Sequence, residues 1–133
     1  MAGLEYRGNL SGVGITPALE MEADDAYFEV AKPNDPVKQN ASGKIVRATA
    51  TDTSITGVLA ARDILRKGET PKHVKIRTDR QAFYEVKVAA GTPVVGTAYE
   101  LNADAELDAT ATTNASVRVL KILPDGNVYV TLL

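Results

Sequence analysis

The sequence predicts a mainly β protein: a small antiparallel β-barrel or β-sandwich with at most one short helix and an extended N-terminal arm. Short stretches rich in Val, Ile and Thr recur along the 133-residue chain, and turns rich in Gly, Pro, Asn and Asp separate them. The chain has no Trp and only 5% aromatic residues, so its core must be built from Val, Ile, Leu and Ala. A chain of this length is expected to form one domain.

Residues 1 to 25 are expected to form the arm, and residues 26 to 133 the β-rich domain. Gly8, Gly12 and Gly14 precede Pro17 in this arm. Glycine is conformationally permissive and proline lacks a backbone donor, so the spacing disfavours regular structure there. A frayed terminus is the alternative interpretation.

The first part of the domain is expected to contain three strands, an extended segment that begins at Val37 and one ambiguous segment. The predicted strands are residues 26–30 (AYFEV), 44–49 (KIVRAT) and 55–60 (ITGVLA). Pro33 and Pro36 mark the turn that ends the first of them. Residues 59–67 could form a short helix with Gly68 as its stop, although continuation of the strand competes with this interpretation.

The second part of the domain shows clearer alternation of apolar and polar residues, which is typical of strands. The predicted strands are residues 73–78, 82–88, 98–101, 116–123 and 128–133. Residues 124–127, Pro-Asp-Gly-Asn, give a strong hairpin signal between the last two. Residues 102–104, Asn-Ala-Asp, predict another tight turn.

One segment of the chain is echoed in weaker form. Residues 48–59 read ATATDTSITGVL, and residues 109–120 read ATATTNASVRVL. Upstream of these segments, Val46 in the first copy would correspond to Leu107 in the second. The echo is either chance between Ala- and Thr-rich segments or the mark of two related hairpins in a barrel with pseudo-twofold character, since two copies are too few for a solenoid.

No residue pattern predicts catalysis or cofactor binding. His73, the single histidine, lies beside Lys72 and Lys75 without an orienting acid in the sequence. The carboxylates of Glu20, Glu22, Asp24 and Asp25 are interpreted as a solvated acidic patch. We therefore expect no catalytic residue, no cofactor and no enzyme.

The acidic run at residues 102–108 resembles the beginning of an EF-hand loop, because oxygen-bearing side chains occupy every second position. The pattern then fails, since Leu107 stands where the loop needs Gly and Thr113 where it needs Glu. We interpret the run as a strand with an acidic outer face and expect no metal ligand, with a weak cation site near Asp104 as the alternative.

Composition limits the partners that the chain can have. The net charge is -2 with charges of both signs interspersed, and no basic stripe predicts a nucleic-acid partner. The chain contains no Cys, so its fold is independent of the redox compartment. No segment approaches the roughly 20 apolar residues that span a bilayer, and no export signal is visible, so we expect synthesis in the cytoplasm and no membrane partner.

The order of segments from about residue 31 to the C-terminus resembles the head decoration, or cement, proteins of tailed bacteriophages. The segments that carry the resemblance are residues 42–46 (SGKIV), 56–60 (TGVLA), 86–94 (VKVAAGTPV), 96–101 (GTAYEL), 117–120 (VRVL), 125–126 (DG) and 128–130 (VYV). These are turn and strand motifs covering roughly three quarters of the chain, and residues 61–67 depart from the pattern.

The resemblance implies a structural virion protein that binds the outer surface of an expanded capsid and braces the shell against internal DNA pressure. Its implied partners are the major capsid protein and other copies of itself, as a homotrimer on the capsid exterior. Another virion component, such as a head-fibre base, tail or connector protein, and a β-barrel module for a ligand or glycan are the alternatives.

The irregular segments of the chain are the predicted partner-binding sites, because an arm that orders on binding can lie across a neighbouring subunit. The residues expected to contact a partner are Leu4, Tyr6, Leu10, Val13, Ile15, Pro33 and Pro36.

Overall fold

The computed structural model describes residues 2–12, 16–62 and 72–133, and in this part the chain is mainly β with one short helix, as predicted. The strands are β1 (Glu5–Asn9), β2 (Leu19–Glu22), β3 (Pro36–Gln39), β4 (Ile45–Arg47), β5 (Gly57–Arg62), β6 (His73–Arg77), β7 (Ala82–Val86), β8 (Val88–Ala90), β9 (Ala98–Leu101), β10 (Leu107–Asp108), β11 (Val117–Ile122) and β12 (Val128–Leu132). The helix, α1, spans Asp25–Val30.

The strands form two sheets in a sandwich-like fold. The order is β1-β7-β12-β11-β9-β10-β8 in the seven-stranded sheet and β2-β6-β5-β3-β4 in the five-stranded sheet. The buried apolar side chains form two clusters, one on each sheet, and Val58 on β5 of the five-stranded sheet belongs to the cluster of the seven-stranded sheet. As predicted from the composition, most of these side chains are aliphatic, and Val, Leu and Ala are the commonest.

The two sheets share one order of strands. The run β7-β12-β11-β9-β10 repeats β2-β6-β5-β3-β4 strand for strand. Ala23, directly after β2, forms a parallel bridge to β4, and β8, directly after β7, pairs in parallel with β10. We call β2 to β6 the first repeat and β7 to β12 the second repeat. β1 belongs to neither repeat and pairs with the outer side of β7.

The strand registers identify equivalent residues in the two repeats. Leu19 pairs with Ile76 and Ile76 with Leu59, just as Tyr84 pairs with Val130 and Val130 with Val119. Both β5 and β11 have a register shift directly after the last of these residues, Leu59 and Val119. Because a bulge changes the direction of a strand, its recurrence at equivalent positions indicates that the two repeats bend alike.

The turns between β3 and β4 and between β9 and β10 repeat in atomic detail. Asn40 and Asn102 begin these turns, and each side-chain oxygen accepts hydrogen bonds from the backbone N–H groups two and four residues later, at 2.9–3.0 Å. The third residue after each Asn has a positive φ, 77° at Gly43 and 58° at Ala105. An Asn side chain that bonds its own turn stabilises this conformation in both repeats.

The sequence echo marks this repeat only in part. Its two segments cover the loops before β5 and β11, so the interpretation as related units agrees with the strand order. The units are not simple hairpins, however, because β3 lies between β4 and β5, and β9 lies between β10 and β11. The register makes Leu107 equivalent to Ile45 rather than to Val46. Ile45 is the parallel bridge partner of Ala23, and Leu107 is the parallel partner of Val88.

The predicted strand at residues 26–30 is wrong, because this segment belongs to helix α1. Asp24 is the N-cap, and its carboxylate accepts hydrogen bonds from the N–H groups of Ala26 and Tyr27. The helix buries Tyr27 and Phe28 against the core of the first repeat. Capping together with burial of two aromatic side chains outweighs the β propensity of the sequence.

The expected irregularity of residues 1 to 25 needs correction at two places. β1 pairs antiparallel with β7, β2 pairs antiparallel with β6, and Leu4 is fully buried in the core of the seven-stranded sheet. Pairing with an existing strand supplies the ladder hydrogen bonds that a glycine-rich segment needs. Gly8 fits there because it lacks a side chain: a Cβ atom on it would lie 2.9 Å from the Phe83 ring.

Two segment boundaries differ from the predicted ones. Residues 57–62 continue as strand β5, so the helix considered for residues 59–67 is wrong up to residue 62, and its remainder lies outside the described residues. The strand predicted at 82–88 is divided at Lys87 into β7 and β8, which lie toward opposite sides of one sheet. The sheet must therefore curl. The hairpin predicted at residues 124–127 is confirmed.

Candidate interaction surface

The N-terminal segment meets the Pro33 turn at one end of the molecule. The N–H of Leu4 donates to the carbonyl of Asn34 at 3.0 Å, and the Asn34 amide donates to the carbonyl of Ala2 at 3.5 Å. Gly3 has a φ of 72°, and a Cβ atom on it would lie 2.5 Å from the Asn34 carbonyl oxygen. Only glycine permits this close approach, so Gly3 allows the N-terminal segment to pack against the Pro33 turn.

A groove opens where these segments face the second repeat. Its volume is about 300 Å³. The first repeat contributes the loop before β3 and the end of β4, and the second repeat contributes the turn between β9 and β10. Residues on its walls include Gly3, Lys32, Pro33, Arg47, Asp104 and Glu106. The groove therefore lies at the boundary between the two repeats.

The groove walls carry charges of both signs. Lys32 and Arg47 are exposed, and within the described chain neither forms an ion pair. Asp104 is exposed on the opposite wall, while Glu106 lies 3.8 Å from the Lys87 ammonium. Two cations facing solvent beside carboxylates can bind a complementary polar surface.

Asp35 stabilises the floor of the groove from inside. Its carboxylate accepts a hydrogen bond from the Tyr27 hydroxyl at 2.9 Å and another from the N–H of Lys32 at 3.1 Å. Burial, reinforced by the nearby Asp35 charge, raises the pKa of Tyr27 above its ordinary value. Tyr27 therefore stays protonated as a donor, and the loop that carries Lys32 and Pro33 is anchored to helix α1.

The seven residues predicted to contact a partner are not brought together. Pro33 lies on the groove wall and Leu10 is 55% exposed, so both present surface to a partner. Leu4 and Pro36 are buried, so in this conformation they present none. Tyr6 is partly buried, with its ring edge-on to Tyr84 at 6.1 Å. Val13 and Ile15 lie outside the described residues.

The residues considered for chemistry have structural contacts. His73 Nδ1 lies 3.2 Å from a Glu20 carboxylate oxygen. In the acidic run, Asn102 caps its own turn, and Asp108 accepts hydrogen bonds from the hydroxyl and N–H of Thr110, which lower the pKa of its carboxyl. Among the described residues, no group of three or more His, Cys, Asp or Glu side chains could hold a metal ion.

Sequence reasoning missed Lys32 and Arg47, which form the cationic wall of the groove. Arg47 lies inside the strand predicted at residues 44–49, where alternation alone assigns it only to a solvent-facing side. Lys32 directly precedes Pro33, which was predicted to contact a partner. This neighbouring position in the sequence was the signal that could have identified Lys32. The contact of Gly3 with Asn34 could not be foreseen, because it depends on the pairing of β1 with β7.

Comparison with known proteins gives no match to this chain among protein-family models, curated proteins or solved structures. No helix in the described part of the chain is long and apolar enough to cross a membrane.

Proposed function

We propose that this chain is a structural virion protein that binds the outer surface of a tailed-phage capsid and stabilises the shell. The observation that supports the proposal most is the groove at the repeat boundary. There the N-terminal segment and the Pro33 turn, both predicted from sequence to contact the shell, lie side by side next to two exposed cations.

The fold suits a bracing role. The core of the seven-stranded sheet also contains Ala48, Ile55 and Val58 of the first repeat, and β1 pairs with β7. The surface that the two repeats present is therefore held by packing and strand pairing. A standard interface buries about 800 Å² on each partner. That is about a tenth of the 7050 Å² accessible surface of this chain, which leaves room for contacts with both the shell and other copies in a trimer.

Binding to purified shells that lack this chain tests the proposal. The double variant Lys32→Glu/Arg47→Glu should bind at least about tenfold more weakly than the wild type, because reversing charges at an interface creates like-charge contacts. The control is Lys121→Glu, which reverses one charge, half of the double variant's change, on an exposed residue of β11 away from the groove. Equal binding by the double variant and the wild type would contradict the assigned surface.

Truncation of the N-terminus is a poor test of the same idea. Deleting residues 1 to 20 removes Leu4 from the core, together with β1 and half of β2. The loss would lower the free energy of unfolding, so weaker binding by the truncated chain would not identify a contact. Point substitutions in the groove avoid this difficulty.

The copy number of this chain in purified particles separates the proposal from its nearest alternative. Quantitative mass spectrometry should find it in the same order of abundance as the major capsid protein. A few copies per particle would instead indicate a fibre, tail or connector component. Absence from particles would overturn the virion proposal altogether.

A further inference from the structure

Two equivalent glutamates lie on the first strands of the two repeats. The registers match Glu20 on β2 with Glu85 on β7. Each carboxylate contacts a residue at the start of the neighbouring strand. Asn127, directly before β12, donates to Glu85 at 2.8 Å, and Nδ1 of His73, the first residue of β6, lies 3.2 Å from Glu20. The two sites are thus alike on the side that faces the sheet.

On the outer side the two sites differ. β1 covers the outer side of β7, with Glu5 opposite Glu85 and Tyr6 opposite Tyr84. From β1, Arg7 donates to the Glu85 carboxylate at 3.1 Å. In the described chain β2 is instead the outermost strand of its sheet, residues 17–20 are exposed, and the Glu20 side chain is 55% exposed.

Among the described strands, none pairs with the backbone of β2 on this outer side. The N–H of Ala23 donates to the carbonyl of Lys72 at 2.8 Å, which fixes Ala23 as a hydrogen-bonded position of the ladder. Bonded and non-bonded positions alternate in an antiparallel pair, so Leu19 and Met21 bond to β6. Glu20 and Ala18 therefore direct their N–H and C=O groups outward, where an extended chain can meet them.

We propose that the outer edge of β2 binds an extended segment of a partner protein, antiparallel to β2, with an Arg or Lys of that segment contacting Glu20. The pairing of β1 with β7 is the template, because it is the same contact made within the chain at the equivalent edge. Strand addition of this kind takes affinity from the backbone and specificity from side chains. In a second copy of this chain β1 would already be paired with β7, so we expect a different protein to supply the segment.

The probe is the peptide of residues 2–10, AGLEYRGNL, with both ends blocked, added to the intact protein. NMR titration should show saturable shifts of the backbone amides of residues 18–22. A peptide with Arg replaced by Glu should bind about tenfold more weakly to the wild type. The Glu20→Arg protein should reverse this order and prefer the Glu-bearing peptide.

Two further proteins separate edge pairing from other effects. Glu20→Pro removes the outward N–H as well as the carboxylate, so the inner ladder should persist while neither the Arg-bearing nor the Glu-bearing peptide binds. Asp104→Arg makes the same charge change as Glu20→Arg, at an exposed site on the second repeat, and should bind the peptide like the wild type. Circular dichroism of each variant reports whether it is folded.

Several results would overturn the inference. One is the absence of binding at millimolar peptide concentration. Another is a set of NMR shifts confined to residues 82–86, which would mean that the peptide exchanges with β1 on β7. The third is unchanged peptide binding by folded Glu20→Pro. The inference does not rest on the capsid proposal, because the probe is a peptide and the readout is local. Capsid binding can fail while this edge still binds an extended segment.

Discussion

Gly57 is a residue whose identity is dictated by packing rather than by backbone conformation. It begins β5, and a Cβ atom on it would lie 2.3 Å from the carbonyl oxygen of Arg77 and 2.6 Å from the Ile76 side chain. We expect Gly57→Ala to lower the free energy of unfolding by about 1–3 kcal/mol, because neighbouring backbone must move to admit the methyl group. Urea denaturation measures the change.

Gly43 is the matched control, since its constraint is conformational. Its φ is 77°, but open space surrounds the position where a Cβ would lie, and the equivalent residue in the second repeat is Ala105 with a φ of 58°. Gly43→Ala should cost only about 1–2 kcal/mol of left-handed strain. A larger loss for Gly43→Ala than for Gly57→Ala would contradict the packing explanation.

At the scale of elements, the two Asn-capped turns should contribute alike to stability. Asn40→Ala and Asn102→Ala each remove an oxygen that accepts two backbone hydrogen bonds. We expect each variant to lose about 1–2 kcal/mol in thermal or urea unfolding. A Ser42→Ala control keeps the cap, because Ser42 contributes only its backbone N–H to it. A loss at one Asn but none at the other would contradict the equivalence of the turns.

Strands β7, β11 and β12 of the second repeat could be predicted because alternate residues are buried, as with Ala82, Tyr84 and Val86 in β7. Helix α1 could not be predicted from β-prone residues, since the deciding contacts are the Asp24 cap and the core that Tyr27 and Phe28 enter. Local propensity is weak wherever tertiary burial opposes it.

The sequence predicted residues of the candidate surface only where a segment without strand pattern forms an exposed turn. That reasoning found Pro33, which lines the groove. It failed for Leu4, because glycines flanking a strand look like an irregular segment until the strand finds a partner, here β7. The repeat itself left a faint trace in the sequence, since strand order and turn geometry survive substitutions such as Gly43 against Ala105.

At the scale of the whole molecule, several carboxylates make stability depend on pH. The Asn127 amide lowers the pKa of Glu85, the Gln81 N–H lowers that of Asp79, and the Thr110 hydroxyl lowers that of Asp108. A carboxyl with a lower pKa in the folded than in the unfolded chain stabilises the fold above the unfolded value. That contribution is lost as pH falls through the folded value.

The expected window therefore lies below about pH 4, the ordinary range of Asp and Glu. The urea midpoint should be lower at pH 3 than at pH 7. Glu85→Gln, which removes one of these carboxyls, should make the midpoint less dependent on pH than in the wild type. Equal midpoints of the wild type at pH 3 and pH 7 would contradict the assignment.

The two repeats should unfold together despite their separate cores, because β5 enters both. Val58 is fully buried in the core of the seven-stranded sheet, and its neighbour Leu59 is fully buried in the core of the five-stranded sheet. Val58→Ala should therefore lower the free energy of unfolding of both repeats equally, by about 2 kcal/mol. Native-state hydrogen exchange read by mass spectrometry should show the slowest amides of both repeats accelerating by the same factor, about thirtyfold. Acceleration confined to the second repeat would mean that the repeats open separately and that the shared strand does not couple them.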